Sequence, residues 1–286
     1  MAKDSRRPTH KDIDVYGLTH QGFVRKRNED HFFTGSLSSG LIVDYTSIPS
    51  DADQVLEKER FASLAMVADG VGSTGGGEEA ARIAVQTIRQ HVARRFREAY
   101  IAEATDPEAF DRLLSDAALA CHEKLLERAE ADPEHTRYAT TLTLFLGLWP
   151  HGYLLQVGDS RCYMYRDNEL TQISRDQTMA QELIDKGVLT QTKAHQTKWA
   201  HVLSSSIGGQ QAAPVVTKIV RKWGTIVLLC SDGLTKHVSD ERIGEHLAKL
   251  ESSRQVCEDL VQEVLDDGGT DNVTIIVGRT VEPKDE

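Results

Sequence analysis

Phe61-Ala62-Ser63-Leu64-Ala65-Met66-Val67-Ala68-Asp69-Gly70-Val71-Gly72-Ser73-Thr74-Gly75-Gly76-Gly77 is an apolar run that stops at an aspartate and passes at once into a glycine-rich turn. The run has the length of a buried strand, and Ala80, Ile83, Ala84, Ile88, Val92 and Phe96 then recur at helical spacing up to about Ala104. A second amphipathic pattern carries Phe110, Leu113, Leu114, Ala117, Cys121 and Leu125, with Pro107 as its expected opening residue. Strand signals follow at Thr141 to Trp149, Tyr153 to Val157 and Arg161 to Tyr165, separated by turns at residues 150–152 and around Asp167 and Asn168. Strands grouped around paired helices do not have the strict alternation of a parallel α/β sheet. The pattern predicts antiparallel sheets with helices outside, a layered α+β domain.

Outward from this stretch, Asp14 to Thr19 reads as a short extended segment and Gly35 to Glu59 as loop. A short helix is expected near Met179 to Lys186, and the polar, patternless Gly187 to His201 as a mobile flap over a site. Thr225 to Cys230 is a strand, Asp240 to Leu250 and Arg254 to Leu265 are helices, and Asn272 to Arg279 is a closing strand. The expected partition is a polar tail over residues 1–12, one domain over 13–281 with its flap near 187–203, and a tail over 282–286.

Thirty-three Lys and Arg against 44 Asp and Glu leave a net charge of -11, which opposes binding to nucleic acid. No apolar stretch reaches the roughly 18 residues of a membrane span, and Met1 to Asp12 lacks the apolar centre of a signal peptide. A soluble, cytoplasmic protein without a membrane partner is expected. Cys121, Cys162, Cys230 and Cys257 stand singly in apolar segments, as buried hydrophobes do in a reducing compartment. None has Arg six positions later, so the phosphate loop of a cysteine-nucleophile phosphatase is absent.

Three apolar strands end on an aspartate, in Val67-Ala68-Asp69-Gly70, Val157-Gly158-Asp159-Ser160 and Cys230-Ser231-Asp232-Gly233, and Asp271 immediately precedes the strand starting at Val273. One Asp-Gly is an ordinary turn pair. Four carboxylates at strand ends converge if the strands share sheets, and charges so close raise one another's pKa unless cations neutralise them. Oxygen-only donors without Cys or paired His favour Mg²⁺ or Mn²⁺ over zinc.

Arg25-Lys26-Arg27-Asn28-Glu29-Asp30, Asp69-Gly70-Val71-Gly72, Val157-Gly158-Asp159-Ser160-Arg161, Cys230-Ser231-Asp232-Gly233-Leu234 and Gly268-Gly269-Thr270-Asp271-Asn272-Val273 resemble, in order and spacing, successive motifs of the metal-dependent type 2C protein serine/threonine phosphatases, in the form bacterial members carry. The resemblance spans about Asp14 to Arg279. It implies a four-layer αββα sandwich, two antiparallel β-sheets flanked by helix pairs, with a two-metal centre of Mn²⁺ or Mg²⁺ at one end and a weaker third ion. It further implies that Asp69 bridges both metals, that the Gly70 carbonyl binds the first, that Asp232 and Asp271 bind the second, and that Glu29 and Asp30 hold metal-bound waters. Asp159, with Asp232, would serve the third metal; its alternative is pairing with Arg161. Arg25 would grip the substrate phosphate with its planar fork, the alternative being a solvated surface cation. Val71 stands where eukaryotic members often carry histidine, which leaves a metal-bound water or His195 as proton donor. Ser73 and Ala139 replace glycines usual in the family. The implied activity is hydrolysis of phosphoserine and phosphothreonine in proteins, reversing Ser/Thr kinase signalling, by a monomeric catalytic domain whose partners are phosphorylated proteins.

Gly70-Val71-Gly72-Ser73-Thr74-Gly75 also satisfies G-x-G-x-x-G, but Arg89 to Arg97, where a dinucleotide site needs a second strand ending in an acidic residue, is helical and basic. Asp12-Ile13-Asp14 precedes a strand instead of ending one, which argues against an aspartyl-phosphate enzyme. A catalytically weak member that binds phosphoproteins as a regulatory module is the alternative from another class, opposed by the presence of every expected carboxylate.

Overall fold

The computed structural model describes residues 6–38, 41–47, 62–72, 75–132, 137–194 and 197–281. Along the chain, β1 (Ile13–His20), β2 (Asp30–Leu37), β3 (Leu41–Thr46) and β4 (Ala62–Val71) lead to two long helices, α1 (Gly77–Ala102) and α2 (Ala109–Ala131). β5 (Ala139–Thr140), β6 (Leu142–Leu148), β7 (His151–Val157), β8 (Arg161–Arg166) and β9 (Glu169–Gln172) precede the short α3 (Met179–Asp185) and α4 (Gln191–Ala194). β10 (Val215–Val220), β11 (Ile226–Cys230), α5 (Asp232–Thr235), α6 (Asp240–Ala248), α7 (Ser253–Asp266) and β12 (Val273–Thr280) follow.

One sheet has the order β1-β12-β11-β8-β9, the other β10-β7-β6-β4-β2-β3 with β5 beside β4, and neighbouring strands are antiparallel throughout. Three apolar layers bind four layers of structure. Val67 of β4, Leu229 of β11 and Ile276 of β12 meet Phe32, Phe145 and Leu154 between the sheets. The alternate residues of the same strands face outward: Leu64, Met66 and Ala68 pack on Ile88, Val92 and Phe110 of α1 and α2. Leu228, Cys230, Ile275 and Val277 pack on Ile243, Leu260 and Val264 of α6 and α7. Both faces of the central strands are therefore buried, which is why they read as unbroken apolar runs although the sheets are antiparallel. Each fully buried Val, Leu, Ile, Met or Phe among them contributes about 1.5–3 kcal/mol. The two antiparallel sheets flanked by helix pairs are the four-layer α+β sandwich expected from the motifs.

Ser239 and Ser252 begin α6 and α7 by accepting hydrogen bonds from the Arg242 and Gln255 amides. The helix after Pro107 opens two residues later than expected, at Ala109, with Glu108 as the cap residue.

The expected loop over Gly35 to Glu59 is corrected in its first part. Its residues 35–37 end β2, and residues 41–46 form β3, paired with β2 across a bulge at Thr34/Gly35; residues 48–60 lie outside the described residues. Polar Asp30, His31, Thr34 and Ser36 break the apolar pattern of β2, yet the strand is buried from end to end because β4 lies on its other side. β10 is an edge strand with half its residues exposed, too weakly patterned to be read from sequence.

Candidate metal centre

Strand pairing sets Asp30 of β2 directly opposite Asp69 of β4 at one end of the larger sheet. At the same end Asp159 sits in the β7–β8 turn, Asp232 at the start of α5 and Asp271 just before β12. Arg25, Glu29, Asp69, Gly70, Asp159, Asp232 and Asp271 all line one cleft of about 300 Å³. Asp159, Asp232, Lys236 and His201 also border an adjoining cleft of about 570 Å³ that runs under α3 and α4.

The local backbone explains how so many loops fit. A Cβ on Gly70 would overlap the backbone of Gly77 and approach the Glu29 carbonyl to 2.7 Å, so the end of β4, the start of α1 and the β1–β2 loop meet only through glycine. The Asp69 carbonyl accepts from Thr141 N at 2.9 Å and Thr140 Oγ1 at 2.9 Å, while Asp69 N donates to Thr141 Oγ1 at 3.1 Å. Asn272 joins the two loops that flank the cleft. Its Nδ2 donates to the carbonyls of Gln21 and Arg27, both at 2.8 Å, and its Oδ1 accepts from Glu29 N at 2.9 Å.

Asp30 lies beneath the cleft wall, 2% exposed. Its Oδ2 accepts from Ser231 Oγ and Thr274 Oγ1, each at 2.7 Å, whereas Oδ1 is buried without a partner. Burial pushes this carboxyl up to about 6, against the two hydroxyl bonds and with help from the charges of Asp232 and Asp271. Burial, then the charges of Asp30, Asp232 and Asp159, hold Asp69 well above the usual carboxylate range. Burial and then Asp232 push Asp159 up to about 7, and burial raises Glu29. Carboxylates so disfavoured in their charged form, with an orphaned Oδ1 among them and oxygen donors outnumbering the one imidazole of His201, fit hard divalent cations.

The protein's own cations stand among these groups. Arg25 donates to Asp271 through Nε at 2.6 Å and through a terminal nitrogen at 2.8 Å, and Lys236 Nζ lies 2.6 Å from both Asp232 and Asp271. Burial alone would raise Asp271, but hydrogen bonds from Arg25 and Lys236 hold it below its ordinary value. Among the described residues no three carboxylate, thiol or imidazole groups close round a single point in a ligating arrangement.

Arg161 does not pair with Asp159. Its Nε reaches both Asp176 oxygens at 3.0 and 3.1 Å, and a terminal nitrogen donates to Asp176 Oδ2 at 2.7 Å. His195 and Ser73 lie outside the described residues, and Val71 lines the cleft. All four cysteines are buried and away from the cleft, with the thiols of Cys121 and Cys230 pushed up by burial to about 12. Sequence reasoning missed Lys236, His201, Ser231, Thr274 and the stapling role of Asn272. Only Lys236 left a local trace, an i, i+4 pairing with Asp232 on one short helix.

The family profile described as Protein phosphatase 2C matches residues 47–271. The chain is 31% identical over 265 residues to the serine/threonine protein phosphatase PstP of Mycobacterium tuberculosis, covering 92% of this chain and 44% of that protein, so it spans less than half of that relative's length. The crystal structure of the M. tuberculosis phosphatase PstP/Ppp superposes with a TM-score of 0.73 at 28% identity, covering 94% of this chain and 99% of that one. The catalytic domain of PstP in complex with two manganese ions gives 0.68 at 28% identity, over 94% and 98% of the two chains. Family profile, relative and superposed structures agree with the layered sheets, and the chain belongs to the protein phosphatase 2C family.

Proposed function

We propose that the chain is a metal-dependent protein serine/threonine phosphatase, hydrolysing phosphoserine and phosphothreonine in proteins and so reversing kinase action. The observation that carries this reading is the meeting of Asp30, Asp69, Asp159, Asp232 and Asp271 at one end of the sandwich, around a cleft open to substrate. Two Mn²⁺ or Mg²⁺ ions, with a weaker third, would supply acidified water and offset charge on the phosphoryl oxygens. Asp69 and the Gly70 carbonyl would hold the first, Asp69, Asp232 and Asp271 the second, and Asp159 with Asp232 the third. Arg161's commitment to Asp176 favours that role for Asp159. Glu29 at the wall and Asp30 beneath it would orient water, Asp30 being fixed for this by Ser231 and Thr274.

Arg25, its side chain 53% exposed at the mouth, would present its guanidinium to the substrate phosphate, for which the Asp271 carboxylate is the intramolecular stand-in. Arg25→Ala is expected to raise KM for a phosphopeptide about tenfold, since one charge-assisted contact is lost, without raising the Mn²⁺ concentration needed for half-maximal rate, because Arg25 meets Asp271 as a cation and would hold no metal. Arg25→Lys should rescue only part, because a point charge replaces a fork. Steady-state kinetics across a Mn²⁺ titration make the measurement, and an unchanged kcat/KM for Arg25→Ala would return Arg25 to a surface cation.

Residues 13–281 are read as one catalytic unit and residues 187–203 as a flap beside the larger cleft. No helix among the described residues is long and apolar enough to cross a membrane; a monomeric cytoplasmic enzyme that engages neither membrane nor nucleic acid is part of the proposal. The deciding experiment is release of phosphate from phosphothreonine and phosphoserine peptides by the purified protein. Turnover with Mn²⁺ that stops in excess chelator is expected, and full turnover in chelator would refute the reading.

A further inference from the structure

Lys236, the residue that caps the C-terminal end of α5, lies one helical turn beyond Asp232, with its ammonium nitrogen 2.6 Å from Asp232 Oδ2 and 2.6 Å from Asp271 Oδ2. This is not a loose surface pair: the Lys236 side chain is 27% exposed, and those of Asp232 and Asp271 are 20% and 14%. Both carboxylates are delivered by anchored backbone. Ser231, which precedes Asp232, has its hydroxyl in the buried network with Asp30 and Thr274, and Asn272, which follows Asp271, is tied to Gln21, Arg27 and Glu29. Charge around the cleft is distributed unevenly as a result. The ammonium and the Arg25 guanidinium neutralise the Asp232 and Asp271 side, while Asp69 faces the charges of Asp30, Asp232 and Asp159.

We infer that Lys236 is a resident counter-cation that competes with the second divalent ion for Asp232 and Asp271. The inference rests on the metal-centre reading above. An ammonium and a divalent ion seek the same carboxylate oxygens, and two cations cannot share them at close range without strong mutual repulsion in a partly desolvated site. Loading of that site therefore requires the ammonium to leave. The side chain has somewhere to go, because Lys236 is on the wall of the adjoining 570 Å³ cleft, and a four-carbon stem lets its head swing without moving α5. The second ion is bound more weakly than the bare carboxylates would allow, and the metal-free cleft is kept from splaying by an internal cation. A lysine that merely stapled α5 to the Asp271 loop would differ in the metal readout, since its removal would weaken the metal site along with the fold.

The test is calorimetric titration of Mn²⁺ into chelator-stripped protein, wild type against Lys236→Met and Lys236→Gln. With two partly buried ion pairs removed, the weaker of the two principal binding events is expected to tighten about tenfold in both variants while the tighter of the two is unchanged. Thermal unfolding in chelator should fall below wild type, and the gap should narrow in saturating Mn²⁺. A weaker event whose affinity is equal to or lower than that of wild type would overturn the inference. A measurement on the unaltered protein guards against variants that fold poorly. Lysine side-chain NMR should find one ammonium protected from exchange in the metal-free protein and released at saturating Mg²⁺, and its persistence there would overturn the inference. Wild type that binds no divalent ion would sink the metal centre itself and this inference with it. Wild type that binds, with variants that bind no more tightly, would sink the role of Lys236 alone.

Discussion

Asp69→Asn is expected to lower kcat/KM on the order of 10³-fold, close to the chelator-treated wild type, whereas Asp159→Asn costs about tenfold. The difference follows from position. Asp69 ends β4 opposite Asp30, its backbone is pinned by Thr140 and Thr141, and in the proposed centre it touches both principal ions. Asp159 sits in the β7–β8 turn on the wall of the cleft, where in the proposed centre it would serve only the third. Asparagine keeps the shape and removes one charge. Because burial and neighbouring carboxylates disfavour ionised Asp69, the unfolding temperature in chelator should not fall when the charge goes. Activity and stability then move apart, which separates loss of a ligand from loss of fold. Steady-state kinetics on a phosphothreonine peptide, with circular dichroism melts in chelator, make the comparison; equal losses in the two variants would make Asp159 as central as Asp69.

Gly233→Ala is expected to destabilise the protein by roughly 3 kcal/mol and to weaken Mn²⁺ binding, although it adds a single methyl group. Its Cβ would overlap the Asn272 carbonyl oxygen, lie 2.9 Å from that carbonyl carbon and 3.3 Å from Val273 Cα. These are backbone atoms and cannot rotate aside. Relief requires α5 and the Asp271–Asn272 segment to separate, which pulls Asp232 from Asp271 and strains the Asn272 staple. Gly244→Ala provides the control, since in α6 its Cβ meets only Leu170 Cβ at an ordinary 3.7 Å. Helix propensity predicts that this variant gains up to about 1 kcal/mol. Chemical denaturation of both variants, followed by metal titration of the folded protein, decides the matter; a Gly233→Ala protein with wild-type stability would show that the two segments are free to part.

The strands that carry Asp69, Asp159 and Asp232 were legible because each is buried on both faces, leaving an apolar run that stops where the chain turns into the cleft. Helices α1, α2, α6 and α7 were legible from the period of residues that bury against a sheet. β2 was hidden for the converse reason. Its Thr34 and Ser36 are buried polar residues in a strand covered on both sides, and no local pattern separates them from loop residues.

The amino-acid sequence by itself determined the layered α+β class, the helix pairs, the family and the carboxylates, because periodicity and motif order are properties of neighbours along the chain. Tertiary structure alone decided how those carboxylates are partnered. Ser231 and Thr274 reach Asp30 across 201 and 244 residues, Arg25 reaches Asp271 across 246, and Lys236 joins Asp271 to Asp232 from 35 residues away. Such contacts depend on which strand ends the sheet order brings together, and on how far burial raises the energy of a charge once it is there. Neither quantity is written in any short stretch of sequence, which is why Arg161 turns to Asp176 and leaves Asp159 to the cleft.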